Sequence, residues 1–70
     1  MNKDKNLLAL AAMEKLLKKS GAPRVSEDAK EMMRVVLEDY AEEIGEKAAR
    51  IAQHSGRKTV KAGDIKLAVK

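Results

Sequence analysis

The longest uninterrupted stretch of this chain sets the terms for everything else. After Ser26, no proline occurs as far as His54. Along that stretch Met32, Met33, Val36, Leu37, Tyr40, Ile44, Ala48, Ile51 and Ala52 form one apolar stripe at helical spacing. Ser26 is a good N-cap, and Glu27 and Asp28 place negative charge on the positive helix end. Gly45 is the one weak point, and Ser55-Gly56 supplies the stop. Twenty-eight residues at roughly 1.5 Å each make a rod of about 42 Å. A chain of 70 residues folds into a globule narrower than that, so a monomer cannot cover the stripe.

The rest of the chain offers little with which to cover it. Hydrophobic residues make up 44% of the sequence, but 11 of them are alanine and Tyr40 is the only aromatic. Small domains with so thin a core need a staple. There is no cysteine for a disulfide or thiolate site, and one histidine cannot build a zinc cluster. The remaining staple is a partner chain. Met32 and Met33, in register with Val36 and Tyr40, read as ordinary core filler. No nucleophile, base and orienting group can be assembled, and no glycine-rich phosphate loop is present. The expectation is a non-enzyme without metal, cofactor or small-molecule substrate.

Two shorter helices flank the rod. From about Lys5 to Lys19, Leu7, Leu8, Ala11, Ala12 and Leu16 recur at steps of three and four, and Ser20-Gly21 ends the helix in a left-handed turn. Ala22-Pro23-Arg24-Val25 forbids continuation. Beyond the rod, residues 57 to 60 read as a short extended piece, followed by a last helix from about Ala62 to Val69. The plan is all-helical and a single domain over residues 1–70: short helix, loop, long helix, loop, short helix.

Charge is distributed in blocks. Residues 1–26 carry six basic against two acidic side chains, residues 27–54 four against eight, and residues 55–70 five against one. The resulting order of +4, −4 and +4 concentrates positive charge near the two connecting segments, where a polyanion would meet the protein. The apolar stretch from Leu7 to Met13 is too short for a membrane span and lacks a small-residue cleavage site. The expectation is a soluble cytoplasmic protein with no membrane partner.

With this plan, the strings GAPRVSEDAKE and SGRKTVKAGDIKLAV resemble the histone fold, and look most like the archaeal histones. The resemblance covers roughly residues 15–69. It implies a handshake homodimer in which two long helices cross and loop one of one chain lies beside loop two of the other. It also implies binding of double-stranded DNA, compaction by stacked dimers and association with the chromosome.

Residue by residue, the resemblance makes Arg24 the loop-one arginine that reaches toward the minor groove. Lys58, Thr59 and Lys61 match loop-two positions that hold phosphates. Arg57 and Asp64 match an ion pair that braces loop two, which leaves Arg57 structural or DNA-contacting. Lys15 stands where the family commonly has a second groove-inserted arginine, and lysine lacks that planar fork. Lys18 adds charge beside it. Ile51, His54, Asp64 and Leu67 match positions through which dimers join into tetramers, with His54 of one dimer meeting Asp64 of the next. The acidic pair Glu42-Glu43 and the longer N-terminal segment depart from the pattern and would weaken DNA wrapping. Two alternatives stay open: a histone-fold subunit that pairs with a different chain in a transcription or repair complex, and a histone that bridges duplexes instead of wrapping one.

Overall fold

A computed structural model describes residues 8–70, which form three helices and no strand: α1 (Leu10–Lys19), α2 (Glu27–His54) and α3 (Ala62–Ala68). The chain divides into two compact units at Asp39 and Tyr40. The first holds α1, the loop after it and the first half of α2. The second holds the remainder of α2, the second loop and α3.

Both connections leave their helix in the same way. Gly21 has φ 117°, its N–H donates to Lys18 O at 3.1 Å, and the Ala22 N–H donates to Leu17 O at 3.1 Å. At the end of α2, Gly56 has φ 73°, its N–H reaches Gln53 O at 2.9 Å, and the Arg57 N–H reaches Ala52 O at 2.9 Å. These are Schellman turns, and their positive φ is cheap only for glycine. α2 then opens as its sequence demands, with Ser26 Oγ accepting the Ala29 N–H at 3.1 Å.

Helix α1 departs from the sequence reading in two respects. It starts at Leu10, because Ala9 is extended and the Leu8 N–H donates to the Glu38 carboxylate at 2.9 Å instead of joining a helical ladder. The expected start over Lys5 to Leu7 lies outside the described residues. The inward face also differs. Met13 is buried and Leu10 and Leu17 are half-buried, whereas Ala11, Ala12 and Leu16 are exposed. A segment made almost wholly of leucine, alanine and methionine is apolar on every side. Periodicity cannot choose its inner face, and the larger side chains gain more from burial than alanines do. In the second loop no regular extended piece forms: residues 58 and 59 lie in bends, and only Lys61 before α3 is fully extended at φ −113°, ψ 169°.

Among the described residues the buried apolar side chains are Met13, Ala48, Ala52 and Ala68. Three of these four are alanines, whose burial contributes little. Met33, Leu37, Ile44 and Ile51 are half-buried, while Met32 is 62%, Val36 52% and Tyr40 53% exposed. The reading of Met32 as core filler therefore fails within one chain, because the stripe on α2 is wider than α1 and α3 can cover.

Candidate nucleic-acid interface

The second loop is built around one ion pair. The Schellman turn fixes the Arg57 backbone, and its guanidinium grips Asp64 with both nitrogens, Nη1 to Oδ2 at 3.0 Å and Nη2 to Oδ1 at 2.9 Å. Nη1 also donates to Thr59 O at 2.9 Å, and the Lys61 N–H donates to Asp64 Oδ2 at 2.8 Å. Asp64 sits at the third position of α3, where a carboxylate meets the N-cap N–H and the positive helix end. Asp64 is 3% exposed, and its carboxylate closes residues 57–64 into a ring of polar contacts. The Arg57 guanidinium and the Lys61 N–H together hold the Asp64 carboxyl at a pKa of about 2, below its ordinary 3.8.

That shift has a sign that can be checked. The folded carboxyl binds its proton less readily than the unfolded one, so the pair stabilises the fold fully above about pH 3.8 and loses its contribution as pH falls toward about 2. Asp64→Asn is expected to lower the melting temperature at neutral pH and to flatten its decline across that acid window. Thermal melts followed by circular dichroism measure both. Parallel wild-type and variant curves would remove the ion pair from the account.

Arg57 is thus turned inward, and the cations that stand out from the loop are Lys58 and Lys61, with Thr59 exposed between them. In the first unit, Arg24 is exposed in the loop between the Gly21 turn and the Ser26 cap, and Lys15 is exposed on α1. Among the described residues no salt bridge involves Lys15, Arg24, Lys58 or Lys61. Lys18 differs, because its Nζ lies 3.2 Å from Glu14 Oε2. Lys30 approaches the same carboxylate at 3.5 Å and Glu27 at 2.7 Å. Lys18 and Lys30 lower the pKa of Glu14, and this local neutralisation makes Lys18 a weaker anion contact than Lys15.

The expected stacking residues do not all come together. Ile51, Leu67 and Ala68 floor a shallow hollow in the second unit, with Lys47, Arg50 and His54 at its rim. Asp64 does not line it. Its carboxylate faces Arg57 and Lys61, and the three hydrogen bonds leave at most one acceptor position for a further donor. Lys47 and Arg50 escaped the sequence reading, although both fall on the turns that carry Ile51 and His54.

Comparison with known proteins agrees with this architecture. The family model described as histone-like transcription factor (CBF/NF-Y) and archaeal histone matches residues 6–69. The chain belongs to this histone-fold family. It is 54% identical over 63 residues to a subunit of the archaeal histone HAN1 from Thermococcus zilligii, a match spanning 90% of this chain and 94% of that protein. It is 44% identical over 63 residues to "Probable archaeal histone 3" of Methanocaldococcus jannaschii, with the same coverage of both chains. No helix among the described residues is long and apolar enough to cross a membrane, and none of their His, Cys, Asp and Glu side chains form a group suited to a metal ion.

Proposed function

We propose that this chain binds double-stranded DNA with little sequence preference, as a handshake homodimer whose copies stack along the duplex and compact it. The observation that carries the reading is the split among its cations. Arg57 is consumed in bracing loop two, while Arg24, Lys15, Lys58 and Lys61 are exposed and outside any salt bridge of the described residues. Flexible cations on short, braced loops suit a phosphate backbone, whose recognition needs charge and position rather than base edges. Residues 1–70 act as one domain in this reading, its two halves completed by the partner. Chromosome association in the cytoplasm follows, with no cofactor, metal, membrane or small-molecule substrate required.

Stacking uses Ile51, His54 and Leu67, with the remaining acceptor position of Asp64 open to His54 of the next dimer. Nuclease digestion of the reconstituted complex tests the wrapped stack. Protected DNA lengths are expected to rise by a fixed step as protein is added, because each dimer covers the same length of duplex. Random protected lengths would favour dimers that bridge separate duplexes. Leu67→Asp is expected to reduce the ladder to its first step.

One observation favours a second reading. The Thermococcus relative is by its name one component of a histone with more than one kind of chain, which suits a protein that pairs with a different histone-fold partner. A purified chain that is unfolded or silent toward random duplex until another chain is added would establish it. A chain that dimerises alone and shifts random duplex at physiological salt would exclude it.

A further inference from the structure

The hollow on the second unit has an electrostatic character that the stacking reading leaves unexplained. Its floor is apolar, and Leu67 is 59% exposed there. Its rim is cationic: Lys47 and Arg50 are exposed on successive turns of α2, His54 follows at the helix end, and Lys70 stands opposite. No acidic side chain lines it. Asp64 is taken up by Arg57, and among the described residues no salt bridge involves Lys47 or Arg50. The nearest acids along the helix, Glu43 and Glu46, lie outside the lining.

Closed two-fold contacts are self-complementary, so a group near the axis meets its own copy. If this face stacks on itself, as the proposed function holds, the apolar floors cover one another while the rims bring lysine against arginine. Like charges crowded at a contact oppose it, and the opposition is strongest at low ionic strength. A compact anion with several charges reverses the sign. It accepts hydrogen bonds from ammonium and guanidinium groups of both copies at once.

We propose that this hollow is a multivalent oxyanion site, of the chemistry of a short phosphate chain, and that filling it licenses the stacking of one dimer on the next. Anion and stack are then linked: whatever occupies the paired rims tightens the dimer-to-dimer contact, and the contact creates the complete site. The inference rests on the stacking reading and makes one demand that reading alone does not. Stacking and DNA affinity should respond to salt in opposite directions.

The test is sedimentation of the full chain without DNA. At about 50 mM sodium chloride, where a Debye length exceeds 10 Å, the protein is expected to remain dimeric. Adding sodium tripolyphosphate to about 1 mM, with chloride lowered to hold ionic strength constant, is expected to strengthen dimer-to-dimer association by on the order of tenfold or more. The double variant Lys47→Gln/Arg50→Gln is expected to associate at low salt unaided and to lose the tripolyphosphate response. Both positions are exposed, so folding is expected to survive, and circular dichroism checks it. The wild-type response stands as a test without the variant. Free association of the wild type at low salt, unchanged by tripolyphosphate, would overturn the inference and leave the stacking reading intact, with Glu43 or Glu46 of the neighbour supplying the missing charge. A wild type and a double variant that both stay dimeric under every condition would overturn the stacking reading itself, and the inference with it.

Discussion

Titrated with random duplex across a salt series, the protein is expected to lose on the order of 10³ to 10⁵ in affinity between roughly 50 and 200 mM salt. Lys15, Arg24, Lys58 and Lys61 give four candidate contacts per chain and twice that per dimer. Each neutralised phosphate releases its condensed counterion, and about six to eight such contacts set a slope of log K against log salt near −5 to −7. Lys58→Ala removes two of the contacts from a dimer. It is expected to reduce the slope by about two and to weaken binding to all sequences nearly equally. Arg24→Ala is expected to act differently, because an arginine in a narrow minor groove senses groove width. Its loss should also flatten any preference for flexible or A·T-rich DNA. Lys18, held by Glu14, is expected to contribute less to the slope than Lys15. A wild-type slope near −2, or loop variants that match the wild type, would move the function to the interaction-subunit reading.

Val36→Glu is expected to unfold the protein. Within one chain Val36 is 52% exposed, so a monomeric fold would tolerate the change within about 0.5 kcal/mol. In a handshake dimer the same position lies under the partner, and an unpaired carboxylate there costs several kcal/mol against a total stability of about 5–15 kcal/mol. Ile44→Glu is expected to have the same outcome but discriminates less, because Ile44 is already half-buried without a partner. A wild-type melting temperature that rises with protein concentration is the companion measurement, since folding and association are then one equilibrium. A folded, monomeric Val36→Glu chain in circular dichroism and sedimentation would show that the bare stripe serves something other than dimerisation.

Much of this protein is written locally. Ser26 ahead of two acids opens α2, two glycines each in a Ser-Gly pair close α1 and α2, and Pro23 keeps the first loop from continuing the helix. Each of these is decided by the backbone freedom or hydrogen-bonding capacity of a single residue, so the sequence alone determines the three-helix plan. The placement of cations in the two connecting segments is equally local. The failure of one chain to cover α2 also follows from counting alone, because a rod of that length outruns the apolar area that 70 residues so rich in alanine can bring to it.

Tertiary structure decided which equivalent-looking residues differ. Lys18 and Lys15 are alike in sequence, but only the fold brings Glu14 and Lys30 together on the side where Lys18 lies. Arg57 and Lys58 are neighbours with the same charge. The end of α2 and the start of α3 turn the first onto Asp64 and leave the second exposed. The inner face of α1 was undecidable from an all-apolar segment until the other helix of its unit covered Met13. The cationic rim over Ile51 and Leu67 exists only because α3 folds back beside the last turns of α2. In each case the deciding quantity is a distance between residues far apart in the chain. Periodicity and composition carry no information about such distances, because they are fixed by packing and not by any one residue's own preference.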